Sequence, residues 1–291
     1  MSTQREVKVN GHKIAAIEFN KEKGGTPVVF IHGTTASINF WESHQLPIFK
    51  NNYHWISLSL PGHYPATLPT GFKTDDLTVE MIGNVLIEAI CELVGDQPVI
   101  WAGHSMGGLV ALYIGATYPQ KVSGIISISG LARGKASGTL GLLQIFARAG
   151  FVGRGIFKSD IKILQSSRFI YRIAAGFYTY DRKALYSYPK FDSILDIVYN
   201  DLKKVDPDSL LHYFNRQPDI DISKKLPEIK APTLVLAGDH DPIIPADQPH
   251  LIAQKNSNST KVILEGSGHL PMFERPKEYE RAITDWIREK M

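Results

Sequence analysis

The stretch that most restricts the fold of this chain is "VIWAGHSMGGLVALYIGATYP", residues 99–119. An apolar run meets Gly103, His104, Ser105, Met106 and Gly107, then a second apolar run continues to Pro119. A Gly-x-Ser-x-Gly pentapeptide between a buried strand and a helix describes a tight strand-to-helix turn. The residue at its tip takes a strained backbone, and small residues two before and two after let strand and helix approach closely. The tip side chain is then exposed, with the helix N-terminus facing negative charge that develops beside it. Ser105 is therefore the candidate nucleophile.

The rest of the chain supplies a setting for that turn. "EVKVNGHKIAAIEF" reads as a hairpin about Asn10-Gly11. "TPVVFIHG", "HWISLSLPG", "VSGIISISG", "APTLVLAGD" and "TKVILEGSGH" are short apolar runs bounded by turn residues, as strands buried on both faces are. Residues 77–94 carry apolar side chains at helical spacing, and 276–290 begin with proline and end basic. Alternating strands and helices predict an α/β fold, a mostly parallel sheet with helices on both faces. The rhythm stops between Leu131 and Lys230, where helical patterns occur without a convincing buried strand. The expected organisation is a core of 1–130 plus 231–291, with 131–230 a helical insertion.

Composition bounds the function. A formal net charge of +3 over 291 residues gives no reason to expect nucleic acid as a partner. The single cysteine, Cys91, excludes an internal disulfide and a Cys-based zinc site. The polar start and the lack of an eighteen-residue apolar run predict a cytoplasmic protein with no integral membrane segment. Within the insertion, residues 131–172 carry +7 and the remainder of the chain −4. A solvated cationic helix face explains this most simply. The functional alternatives are an anionic substrate, an acidic carrier partner, or contact with a membrane surface.

A serine hydroxyl needs a base, and the base needs an orienting acid. Of ten histidines, His269 alone follows a predicted strand in a glycine-flanked loop, "GSGHLPMF". His104 adjoins Ser105 and is expected to point away from it. His12, His44, His54, His63, His212 and His250 read as ordinary strand, loop or helix histidines. The acid is expected in "LVLAGDHDPIIP", which offers Asp239 and Asp241. That gives the chain order Ser, Asp, His. Three neighbours, Asp239, His240 and Asp241, make a poor metal site because their side chains diverge, and no metal or cofactor is expected. Oxyanion donors are expected at the amides of Met106 and Thr34, with Thr35 the alternative and Gly33 shaping the turn.

With "VVFIHGTTAS", "SLPGHYPA", "VIWAGHSMGGLVAL", "PTLVLAGDHDPIIP" and "VILEGSGHLPMFERP" in place, the chain resembles the α/β-hydrolases of the esterase, lipase and C–C hydrolase group. The resemblance implies an eight-stranded, mostly parallel sheet and a helical cap after the sixth strand. It also implies that the acid lies three residues after the glycine ending its strand, which selects Asp241. Asp239 then serves as a turn cap. One segment departs from the family pattern: in "SLPGHYPA", Ser59 stands where relatives carry an acid, Tyr64 where they carry glycine, and Ala66 where they carry serine. The implied function is cofactor-independent hydrolysis of an ester, thioester or lactone of a small apolar or acyl substrate. The alternatives are C–C bond hydrolysis with the same triad, and a ligand receptor that retains the fold.

Overall fold

A computed structural model describes residues 2–291. Eight strands form one sheet: β1 (Ser2–Val9), β2 (His12–Phe19), β3 (Val28–Ile31), β4 (Trp55–Leu58), β5 (Val99–His104), β6 (Val122–Ile128), β7 (Thr233–Gly238) and β8 (Ser259–Leu264). Their order is β1-β2-β4-β3-β5-β6-β7-β8. The β1–β2 and β2–β4 pairs are antiparallel and all others are parallel. The Asn10-Gly11 hairpin forms as expected, with both residues at positive φ (49° and 81°).

The buried strands separate two cores by simple alternation. Val29, Ile31, Val99 and Trp101 pack on one side with the helices Val79–Val94 and Met106–Thr117. Val28, Phe30, Ile100 and Ala102 pack on the other with the C-terminal helix Pro276–Lys290. Side chains two apart share a face, so strands covered on both sides are apolar throughout. Ser59 follows β4 and is fully buried. Its amide donates to the Ala15 carbonyl (2.9 Å) and its Oγ accepts from the Ala15 amide (3.0 Å). The serine thus continues the β2–β4 pairing at the position where relatives carry an acid.

Between β6 and β7 the chain is helical: Gly138–Arg148, Gly150–Ser166, Arg168–Ala175, Arg182–Ser187, Phe191–Leu202 and Pro207–Arg216. Three of these have side-chain N-caps, with Ser167, Asp181 and Asp206 accepting from Ile170, Ala184 and Asp208 amides. Among the described residues, no helix is long and apolar enough to cross a membrane. The connection after β3 runs to β4 on one side and the connection after β5 runs to β6 on the other, so the strand order reverses between β3 and β5. The crevice at the carboxyl ends of β3 and β5 is the switch point where ligands collect in open α/β sheets.

Candidate active site

Ser105 stands directly after β5 with φ 56° and ψ −116°, a backbone that a non-glycine residue rarely takes. The flanking glycines explain how the turn is tolerated. A Cβ on Gly103 would meet the Gly107 carbonyl at 2.2 Å, and one on Gly107 would meet the Ile31 carbonyl oxygen at 2.3 Å. Strand, turn and helix therefore touch backbone to backbone. Ser105 Oγ makes no hydrogen bond among the described residues, and the side chain lines a pocket together with His269.

His269 comes from the loop after β8 and Asp241 from the loop after β7. The His269 Nδ1–H donates to Asp241 Oδ2 at 2.8 Å, and both side chains are buried. The other carboxylate oxygen, Oδ1, accepts the amides of Ile243 (2.8 Å) and Ile244 (2.9 Å). Both oxygens of a buried carboxylate are thus satisfied, which fixes the acid before it meets the imidazole. Asp239 turns elsewhere: its Oδ1 accepts the Ser267 amide (3.1 Å) and contacts His240 Nδ1 (2.8 Å). His240 stacks on Tyr180. Asp239 and His240 thus meet each other, while Asp241 turns away from both to His269.

Thr34 lines the same pocket, and Met106 directly follows Ser105. Met106 is the first residue of its helix, so its N–H has no intrahelical acceptor. Neither amide donates to a protein acceptor among the described residues. The loop carrying Thr34 is braced from several sides. His63 Nε2–H donates to the Thr34 carbonyl (2.8 Å), and the Thr34 hydroxyl bonds the Gln217 side chain (3.4 Å). The Tyr171 hydroxyl donates to the Thr35 carbonyl (3.2 Å), and the Thr35 hydroxyl bonds the Tyr178 phenol (3.3 Å). Burial pushes the Tyr178 phenol up to about 12.

His63 differs from the sequence reading. His63 is buried against Tyr213 and His32 rather than lying on an ordinary surface loop. His104 lines the pocket, and its Nε2–H donates to the His269 carbonyl (2.9 Å). Burial first, then like-charge repulsion from His269, holds His104 down to about 3; burial holds His63 down to about 4. Both act as neutral donors on loop carbonyls. His32 is similarly held to about 3, and its Nε2 accepts the Leu60 amide (3.1 Å).

Glu274 has no counterpart in the sequence reading. Its buried carboxylate accepts the amides of Tyr180 (2.9 Å), Asp181 (2.8 Å), Gly268 (3.0 Å) and Leu270 (3.3 Å). One side chain thereby joins the His269 loop to the turn before the helix Arg182–Ser187. The signal in the sequence was a lone acid, five residues after His269, inside "LPMFERP".

The pocket is walled by the helical segment. Leu140, Leu143, Ile161, Leu164, Ala174, Ile194, Leu195 and Val198 face it opposite Ser105 and His269. Among the described residues, its lining contains no Asp, Glu, Lys or Arg side chain. The cations of 131–172 lie outside, and most meet acids from elsewhere. Arg148 pairs with Asp219, Lys158 with Asp208, and Arg168 and Arg172 share Asp192.

A doubly covered, mostly parallel sheet with a strained serine between strand and helix defines a hydrolase class of protein. The chain belongs to the alpha/beta hydrolase fold family, whose model matches residues 26–276. It is 25% identical over 267 residues to (E)-2-((N-methylformamido)methylene)succinate hydrolase of Acinetobacter baylyi, covering 90% of each chain. It is 24% identical over 278 residues to the pimeloyl-[acyl-carrier protein] methyl ester esterase of Photobacterium profundum, covering 94% of this chain and 99% of that one. In fold it is similar to the enol-lactonase of Burkholderia xenovorans, with a TM-score of 0.76 at 16% identity, covering 98% of this chain and 100% of the other.

Proposed function

We propose that this protein is a serine hydrolase that cleaves an ester, thioester or lactone of a neutral, apolar acyl substrate. The observation that carries this reading is the Asp241–His269 pair opening, with Ser105, on a pocket whose lining bears no charged side chain. With Nδ1–H committed to Asp241, the His269 Nε2 lone pair is the base. Ser105 Oγ attacks the substrate carbonyl and gives its proton to Nε2. The carbonyl oxygen gains negative charge beside the Thr34 and Met106 amides. The tetrahedral centre collapses, the leaving group takes the proton from His269, and an acyl-serine remains. Water then repeats the sequence, with His269 again the base, and the acid leaves.

Residues 131–230 serve as the cap of this site. They supply its apolar wall, and Tyr171, Tyr178 and Gln217 brace the loop that carries Thr34. The lining fits an acyl chain rather than a charged group. An anionic or carrier-linked end would stay outside, among the cap cations. A carrier-linked methyl ester is what one relative's name gives as its substrate, and it has that division into apolar and anionic parts.

The test is a fluorophosphonate activity probe combined with p-nitrophenyl esters of increasing chain length, acyl-CoAs and lactones. The expected result is labelling of the wild type, no labelling of Ser105→Ala, and turnover that rises with acyl length until the pocket is filled. An unlabelled wild type that turns over none of these esters would sink the nucleophile assignment.

A further inference from the structure

The helices Gly138–Arg148, Gly150–Ser166 and Arg168–Ala175 pack in succession, and each is apolar on two faces. Their inner residues, among them Leu143, Ile161 and Leu164, line the pocket. Their outer faces leave Ile145, Phe151, Val152, Ile156, Ile163 and Phe169 in solvent, with Phe151 94% and Val152 72% exposed. Nine of the thirteen exposed large apolar side chains among the described residues fall between 142 and 173, so they are not scattered singly. Single exposed apolar residues are normal, whereas a concentration of them marks a surface that something covers.

The sequence of the second helix sharpens this. Val152, Ile156 and Ile163 recur at i, i+4 and i+11, which places them on one stripe. Arg154, Lys158 and Lys162, spaced four apart, form a second stripe farther round the exposed side of the helix, with Gly155 and Ser159 between the two. Lys158 reaches Asp208, but Arg154 and Lys162 form no salt bridge among the described residues. A helix surface with aromatic and aliphatic side chains, bordered on one side by unpaired cations, suits the boundary between anionic headgroups and acyl chains. A second copy of this chain suits it poorly. A two-fold interface brings the same patch onto itself, which would set each protomer's Arg154 and Lys162 against the partner's like charges.

We propose that this outer face docks on an anionic phospholipid bilayer. Phe151 and Val152, at the tip between the first two helices, enter the acyl boundary. Arg154 and Lys162 sit among the headgroups. The pocket lies behind the same helices, so an apolar acyl substrate need not cross bulk water to reach Ser105. Only that last consequence rests on the hydrolase reading; the docking itself does not.

The test is cosedimentation of the full chain with vesicles of phosphatidylcholine alone and of equal parts phosphatidylcholine and phosphatidylglycerol. Wild type and Ser105→Ala should bind the anionic vesicles alike and release them at high salt, so loss of catalysis leaves the binding result interpretable. Arg154→Glu with Lys162→Glu should weaken binding by about 30-fold or more, from the usual contribution of each surface cation. Phe151→Ser with Val152→Ser should weaken it by about tenfold. All four changes are at exposed sites outside the pocket, so labelling of Ser105 in solution should be unchanged. No binding to either vesicle, or binding indifferent to these substitutions, would overturn the proposal. So would a concentration-dependent dimer that Phe151→Ser disperses while vesicles are ignored. Turnover accelerated by an acidic carrier protein, with no vesicle binding, would assign the face to that protein instead.

Discussion

The loops at the carboxyl edge of the sheet and the helical segment above them spend their side chains differently. In the loops the buried ionisable side chains are tied to named partners: Asp241 uses both oxygens, Glu274 collects four amides, and His32, His63 and His104 each hold a backbone group. In the helices apolar side chains face the pocket on one side and solvent on the other. The loops therefore tolerate little change, because removing one partner strands another in a dry place. The helices tolerate much, and their changes should alter what is bound rather than whether the site works.

The largest effects should come from the loops. Ser105→Ala and His269→Ala should each lower kcat by about 10⁶-fold while the circular dichroism spectrum stays native. Asp241→Asn should lower it by about 10³–10⁴-fold. Asp239→Asn should cost less than about tenfold, because Asp239 caps a turn and does not touch His269. A reversal between the two aspartates would reassign the acid. Glu274→Ala tests the loops' dependence on a residue outside the triad. Four amides would lose their acceptor, and unfolding in urea should show a loss of about 2–5 kcal/mol. Glu274→Gln, which keeps one acceptor oxygen, should recover part of that. The exposed Phe151→Ser, by contrast, should stay within about 0.5 kcal/mol of wild type.

Acid should separate the two regions as well. Burial first, then Lys190, pushes His44 down to about 3, and His32, His63 and His104 are likewise held neutral. All four lie outside the helical segment, whose one histidine is His212. In the unfolded chain these imidazoles take up protons near their ordinary value of 6.5, while the folded chain refuses them down to about 3–4. Their contribution is therefore complete above pH 6.5 and is lost as pH falls toward 4, each group adding up to about 1.4 kcal/mol per pH unit. Urea midpoints should drop already between about pH 6.5 and 5, above the range where ordinary carboxylates titrate. A flat profile there would show that these imidazoles are not kept neutral by the fold.

The same contrast explains what was legible in the sequence. Strands buried on both faces are continuous apolar runs, and Gly103 and Gly107 are demanded by contacts under 2.5 Å, so the sheet and its serine turn could be read from local spacing. Local spacing leaves Asp239 and Asp241 open; the family resemblance selects Asp241, and the structure brings it to His269. Glu274, His63 and Tyr171 were not reached, because their partners lie in other segments and no local period marks them. The +7 of residues 131–172 overstates the local charge for the same reason. Its partners Asp192, Asp208 and Asp219 come later in the chain, so most of that charge is matched. An apolar residue on a helix likewise looks identical in sequence whether it faces core, pocket or solvent.

Two adjacent residues of the helix Phe191–Leu202 offer the smallest and most direct test of that ambiguity. Val198 is buried and lines the pocket, whereas Ile197, one step around the helix, is 37% exposed and does not. Phenylalanine at either position adds similar bulk and keeps the residue apolar. At Val198 the added ring would occupy space otherwise open to an acyl chain. Rejection of one surplus methylene is worth about 1–3 kcal/mol in an apolar pocket, so kcat/KM for long esters should fall by about 10–200-fold relative to short ones. At Ile197 the ring would extend into solvent, and the ratio should move by less than about twofold. Short esters should be hydrolysed equally by both variants, since Ser105, His269 and Asp241 are untouched. If the two substitutions shifted chain-length preference alike, the helix would not be dividing pocket from solvent between its two faces, and the acyl chain would have to lie elsewhere.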